Sequence, residues 1–232
     1  MRVVSWNANC KFREKFHLLG DFDLAIVQEC EEPKQSNNTK YIEWASNYFW
    51  TGKLKHKGLG IFLGRRRNAK IIAVPASSQR YFLPIELDNG FHVIGVWAMG
   101  SEKRQDGYIA QIHDYIDANA QYFNWDKLII IGDFNSNAEW DRKRELKNHS
   151  NLVAKLREYG LTSLYHSIHN LEHGKEKSPT FYMYRDQKKP YHIDYIFMPD
   201  EAVDKSEINI GEPADWLKYS DHMPVSSNIL SC

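Results

Sequence analysis

Asp133 and Asn135 follow directly on an apolar run, Leu128-Ile129-Ile130-Ile131-Gly132. Four consecutive aliphatic residues predict a strand buried on both faces, and the glycine frees the backbone to turn sharply. On an extended chain residues i and i+2 point the same way, so the Asp133 carboxylate and the Asn135 amide share one pocket at the strand end. A carboxylate beside a donor amide suits a site that deprotonates a water and grips an oxyanion. Asp and Asn are also common turn formers, so this segment by itself equally describes a strand ending in a turn.

The same arrangement recurs along the chain. Val3-Val4-Ser5-Trp6-Asn7-Ala8-Asn9 ends a strand in two amides at i and i+2, and Asp23-Leu24-Ala25-Ile26-Val27-Gln28-Glu29 ends one in a carboxylate. Tyr191-His192-Ile193-Asp194-Tyr195-Ile196-Phe197 carries an acid in the middle of an apolar strand, where an unpaired charge is costly. Tyr219-Ser220-Asp221-His222-Met223-Pro224-Val225 presents an Asp-His pair just before a terminal strand. Strand ends that all deliver Asn, Glu, Asp or His predict one polar site at one edge of a β-sandwich.

In this order, Trp-Asn, Gln-Glu, Gly-Asp-Phe-Asn, Ile-Asp-Tyr and Ser-Asp-His, the motifs from Val3 to Val225 resemble the endonuclease/exonuclease/phosphatase superfamily. The resemblance implies a four-layer α/β sandwich: two mixed, mainly antiparallel sheets packed face to face, with helices outside. It also implies a metal-dependent phosphoester hydrolase. Hard oxygen ligands suit Mg²⁺ or Mn²⁺; Glu29 is the first such ligand, and the resemblance adds Asn7, Asn9 and Asp221. Asp133 would orient and deprotonate the attacking water, and Asn135 would donate to a non-bridging oxygen. His222 would donate from the other side, its imidazole held by Asp194.

Relatives usually carry Tyr, Asn or His on the strand before the long helix. Here Val93-Ile94-Gly95-Val96-Trp97-Ala98-Met99 puts Trp97 there, with an N–H donor only, able to supply one hydrogen bond or a stacking face. Thr180-Phe181-Tyr182-Met183-Tyr184-Arg185 followed by Tyr191 resembles the exonuclease III and abasic-site region. There, aromatics pack against a sugar or base, a role that falls to Phe181, Tyr182 and Tyr191, although Phe181 and Tyr191 also fit core positions of neighbouring strands.

The elements that must position these residues are legible in outline. Strand-like runs cover Leu59–Leu63, Ala69–Val74, Tyr81–Leu87 and Phe91–Trp97, and helical spacing covers residues 11–20, Asp106–Phe123 and Ser150–Tyr159. Strands around Thr180–Met183, Tyr191–Phe197 and His222–Ile229 are expected to complete the second sheet, and Glu31–Lys40 reads as a polar loop. The chain of 232 residues fits a single domain over 1–232. His166, His169 and His173 lack a cysteine pair and lie in a stretch with Ser, Asn and Gly suited to a loop, so a substrate-facing loop is expected there before a zinc site.

Equal numbers of basic and acidic residues, 30 of each, argue against a chain held on nucleic acid by bulk charge. They leave room for a local rim, for which Lys53/Lys55/Lys57 and Lys188/Lys189 are the candidates. Three cysteines without paired spacing are no disulfide framework. With no apolar run of membrane-spanning length and no signal-like start, they predict a cytoplasmic protein with no membrane or obligate protein partner. The expected activity is a nuclease or phosphodiesterase acting on nucleic acid. The alternatives are a phosphatase or phosphodiesterase of a small phosphorylated metabolite or lipid head group, and a catalytically dead binding module.

Overall fold

A computed structural model describes residues 1–75, 81–101 and 107–229. In the first third of the chain, β1 (Arg2–Asn7), β2 (Leu24–Cys30), β3 (Tyr48–Leu54) and β4 (Lys57–Leu63) surround a short helix α1 (Thr39–Trp44). The middle supplies β5 (Ala69–Ile71), β6 (Phe82–Leu87), β7 (His92–Trp97), α2 (Ile109–Asn119), β8 (Leu128–Asp133) and α3 (His149–Glu158). Next come β9 (Leu161–Ser163), α4 (Leu164–His169), β10 (Phe181–Tyr182), β11 (Pro190–Tyr191) and β12 (Asp194–Pro199). The chain then runs through α5 (Asp200–Val203), β13 (Ser206–Ile210), α6 (Pro213–Trp216) and β14 (Val225–Ile229).

These strands form two six-stranded sheets, ordered β13-β14-β1-β2-β4-β3 and β5-β6-β7-β8-β12-β9. Among the described residues only β1–β2 and β7–β8 pair in parallel, so both sheets are mixed and mainly antiparallel. Alternation along each strand sorts side chains into layers. Val3, Leu24, Ile26, Ile61, Val93, Ile129, Ile131 and Ile196 pack between the sheets. Ile94, Val96, Leu128 and Ile130 face outward onto Ile112 and Ile116 of α2 and Leu152 and Leu156 of α3. Val4, Trp6, Ala25 and Val27 face outward onto Phe12, Leu19 and Tyr41. The four-layer sandwich expected from the sequence is the observed fold.

The inner face leads to the polar strand ends. Following every second residue from the shared core gives Val3-Ser5-Asn7, Ile129-Ile131-Asp133 and, in reverse, Ile196-Asp194. The same period-2 rule that buries the apolar residues thus carries the polar ones to one mouth between the sheets. Asp133 and Asp194 are direct partners in the β8–β12 register.

Several elements differ from their sequence expectations. Strand β14 joins the first sheet beside β1 rather than the second. Phe181–Tyr182 pairs only with Pro190–Tyr191, as a separate hairpin. Asp194 opens β12 instead of lying mid-strand, because residues 191–193 lead out of that hairpin. Residues 11–20 form two 3-10 turns, Phe12–Glu14 and Phe16–Leu19, after a left-handed Lys11. Helix α1 begins inside the expected loop, its N-terminus capped by Asn38 on the Tyr41 N–H. The strand from Ala69 ends at Ile71, and the outer helix begins at Ile109; Asp106 lies outside the described residues.

Gly132 serves a different purpose from a turn. It sits within β8 at φ 149°, and a Cβ there would lie 2.0 Å from the Val96 carbonyl oxygen. Close approach of β7, not chain reversal, demands the glycine. The reversal falls at Asn135, whose φ is 47°.

Candidate active site

Asp133 is fully buried and held from three sides. Its Oδ2 accepts from Asn7 Nδ2 at 3.0 Å and Asn135 Nδ2 at 2.9 Å, while its Oδ1 accepts from the Asn135 backbone N–H at 2.9 Å. The second proton of the Asn135 amide goes to the Ala98 carbonyl at 3.0 Å. Asn135 is therefore not poised to donate to substrate, as the sequence suggested; in this conformation its amide orients Asp133. Burial and the neighbouring Asp194 raise the Asp133 pKa to about 7 against the lowering effect of His222.

His222 donates from Nδ1 to Asp194 Oδ2 at 3.0 Å, with both side chains buried. The Thr180 hydroxyl fixes the turn into β12 by accepting the Ile193 and Asp194 N–H groups. Burial alone would lower the His222 pKa, but the Asp194 and Asp133 carboxylates outweigh it and raise the value to about 9. Asp133, Asp194 and His222 each bring one ligand-type atom within 4.8 Å of the others. Asp194 Oδ1 is buried with no hydrogen-bond partner among the described residues.

Asn9 and Asp221 are joined, Nδ2 to Oδ1, at 2.7 Å, and the Asn9 N–H reaches Asn7 Oδ1 at 3.0 Å. Consecutive left-handed residues Asn9, Cys10 and Lys11 make this turn. The Lys15 ammonium secures it by donating to the carbonyls of Ala8, Cys10 and Tyr219, which also ties it to the Ser220–His222 segment. Glu29 sits at a bulge in β2 with φ 58°. The extra residue shifts the alternation, so that Gln28 faces the inner side against Ser5 and the Val96 carbonyl while Cys30 joins the outer cluster. The Glu29 carboxylate accepts from Lys57 Nζ at 3.1 Å and lies 3.5 Å from Cys10 Sγ. Carboxylates and amide oxygens fit a hard divalent cation, and Glu29 already holds a positive charge in the Lys57 ammonium.

The aromatic candidates divide. Trp97 is 2% exposed and packs in the core between the sheets, so it offers no open stacking face. Tyr182 is also buried, 7% exposed. Phe181 lies 4.6 Å, centroid to centroid, from His222, then 6.3 Å from Tyr191. Tyr191 continues at 5.1 Å to Trp140, which is 42% exposed. Sequence reasoning missed Trp140; its only signal was a tryptophan in a polar stretch soon after Gly132-Asp133-Phe134-Asn135. Trp140 and Asn135 also line an open cleft of about 530 Å³ with Tyr108 and Arg144.

The model of the Endonuclease/Exonuclease/phosphatase family matches residues 4–222. The chain belongs to this family. Endonuclease/exonuclease/phosphatase proteins hydrolyse phosphoester bonds with divalent cations, and this chain is a phosphoester hydrolase. Its fold is similar to that of the 3'-5' exonuclease NExo from Neisseria meningitidis, at 19% identity, 99% coverage of each chain and a TM-score of 0.68. It is similar to the structure of the 3' phosphatase NExo from Neisseria bound to product DNA hairpin, at 20% identity, 100% of each chain and a TM-score of 0.69. An AP endonuclease from Archaeoglobus fulgidus gives 14% identity, 100% of each chain and a TM-score of 0.74. No curated protein sequence matches the chain. Among the described residues, no helix is long and apolar enough to cross a membrane.

Proposed function

We propose that this protein is a nuclease or phosphodiesterase that cleaves nucleic acid by water attack. Asp133 is the general base, its carboxylate fixed by Asn7 and Asn135 at the strand ends. His222, anchored to Asp194 through Nδ1, keeps Nε2 for a phosphoryl oxygen. A charged hydrogen bond of the Asp194–His222 kind contributes about 1.5–3 kcal/mol, enough to hold the ring in one orientation. Glu29, with Asp221, Asn7 and Asn9, would hold Mg²⁺ or Mn²⁺. That cation would supply charge relief on the phosphoryl group and the leaving oxygen.

The observation that carries a nucleic-acid substrate is the aromatic run from His222 through Phe181 and Tyr191 to Trp140. Aromatic faces in series accept sugars and bases without regard to sequence. Beyond them the β10–β11 hairpin presents Tyr184, 81% exposed, under Lys189 at 5.2 Å, with Arg185 and Lys188 also exposed. This local cationic tip answers the absence of bulk positive charge. The structural relatives described as an AP endonuclease and as a phosphatase bound to DNA point the same way.

The test is a panel of DNA and RNA oligonucleotides, nucleotides and inositol phosphates, each with Mg²⁺, Mn²⁺ or excess chelator. Cleavage of an oligonucleotide that requires the cation and falls steeply with salt is expected. Turnover of small phosphoesters far above any polynucleotide would assign the site to metabolites instead.

A further inference from the structure

We propose that His166, His173 and Glu176 form a second metal site, which takes a zinc-class divalent ion and clamps the 170–177 loop to the catalytic strand ends. One ligand-type atom from each of the three lies within 4.8 Å of the others. The His166 and Glu176 side chains are 6% and 5% exposed, and His173 is half-buried over them. His166 Nε2 is 2.9 Å from Glu176 Oε1. Two ligands about 2.0 Å from one zinc at a tetrahedral angle stand roughly 3.3 Å apart, close to the His166–Glu176 contact, while the His173 ring, stacked on His166 at 14°, would tilt to turn a nitrogen toward a shared ion.

Each ligand is held from behind, as metal ligands are. Ser163 Oγ contacts His166 Nδ1 at 2.7 Å, and His149 Nε2 contacts His173 Nδ1 at 3.0 Å. Glu176 accepts from the Gly174 N–H at 3.0 Å and from Asn137 Nδ2 at 3.1 Å. The chain reverses at left-handed Asn170 and again at Gly174, φ 86°, which brings His173 back over His166 at 3.5 Å between ring centres. The three residues are thus distant in pattern but adjacent in space, which their spacing along the sequence did not reveal.

Hydrogen-bond bookkeeping favours an ion. His192 must donate from Nδ1, because its partner is the Ser178 carbonyl at 2.8 Å. Its Nε2 is then a bare lone pair, and it is buried without a partner, as is His149 Nδ1. His192 lies 5.9 Å from His166 between ring centres. Four imidazoles and a carboxylate thus share one region in which the His192 Nε2 lone pair finds no partner among the described residues, and a divalent cation suits such a donor set. Zinc-class ions suit imidazole with carboxylate, whereas Mg²⁺ prefers oxygen alone.

The site would brace the active centre. Asn137 bonds Glu176 and also the His192 carbonyl at 2.9 Å. Asn137 follows Asn135 by two positions, and His192 precedes Asp194 by two. An ion on Glu176 would therefore stiffen both segments that present the catalytic aspartates.

Purified protein is equilibrated with Zn²⁺, dialysed against metal-free buffer and assayed by mass spectrometry. Co²⁺ loading is followed by visible d–d absorption, and thermal unfolding is recorded with and without Zn²⁺. One retained ion per chain and a raised Tm are expected for the wild type and for His222→Ala, with loss of the ion in His173→Gln and Glu176→Gln. Ser163→Ala, which keeps all three ligands, should bind Zn²⁺ about 10–100-fold more weakly. No retained zinc and no cobalt spectrum in the wild type would overturn the proposal without any variant. So would an ion kept in His173→Gln and Glu176→Gln, which would place it outside this cluster.

Discussion

The Lys57 ammonium lies 3.1 Å from a Glu29 carboxylate oxygen and 5.4 Å from the centre of the Trp97 ring. This lysine thus stands on the carboxylate expected to receive the catalytic cation, over the buried Trp97 ring. An exposed ion pair is worth about 0.2–1 kcal/mol, and both partners here are partly open to solvent. Lys57→Met should therefore lower the half-saturating Mg²⁺ concentration by up to about fivefold. Glu29→Gln should raise it. Metal titrations by calorimetry check both, and an unchanged constant in both variants would remove Glu29 from the metal site.

Asp133→Asn and His222→Ala should each lose rate without losing the fold. Removing a positioned base costs about 10²–10⁴-fold, and removing a donor to a developing oxyanion costs about 10²–10³-fold. Turnover is measured on the best oligonucleotide, with circular dichroism to confirm folding. Near-full activity of a folded variant would reassign the role.

Tyr191→Ala and Trp140→Ala should raise KM for an oligonucleotide while leaving a small chromogenic diester almost unaffected. Stacking of one base on one ring is worth about 1–3 kcal/mol, and the small ester has no base to stack. Equal effects on both substrates would mean that these rings only support the local fold.

His113 should make the protein less stable in acid. It is buried on α2 with Nε2 2.9 Å from the Asn148 carbonyl. Burial lowers its pKa, with Lys155 adding to the shift and the Asn148 carbonyl, Asp117 and Asp114 opposing it. A histidine favoured neutral in the fold contributes stability above its unfolded pKa of about 6.5 and loses it as pH falls below that value. Urea unfolding of wild type and His113→Gln at a series of pH values should show a shallower acid loss in the variant. Parallel curves would exclude His113 as a contributor.

The sheets were legible because their strands are short, apolar and alternating, and the same alternation placed Asn7, Asp133 and Asp194 on one inner face. What the sequence hid was partnership. Strand β14 pairs with β1 across nearly the whole chain, and no local pattern specifies so remote a neighbour. Hydrogen-bond direction was equally hidden: Asn135 was expected to face the substrate, yet both its amide protons are engaged at Asp133 and Ala98. Trp97 has the right place in the order, but its size drives it into the core. The histidines of α4 were expected in a substrate-facing loop, and their helix turns His166 inward. Trp140 belongs to no motif and joins the aromatic run only through Tyr191.

The pairing of β1 with β14 sets the order in which the protein can become active during its own synthesis. Asn7 leaves the ribosome well before Asp221 and His222, which lie just ahead of β14. Until that strand has emerged and found β1, the Ser220 hydroxyl cannot bond the Asn7 carbonyl, nor Trp6 the carbonyl of His222. A nascent chain therefore carries Asp133 without its imidazole partner. On the reading that nucleic acid is the substrate, the protein stays harmless to nucleic acid beside the ribosome until β14 has emerged and docked.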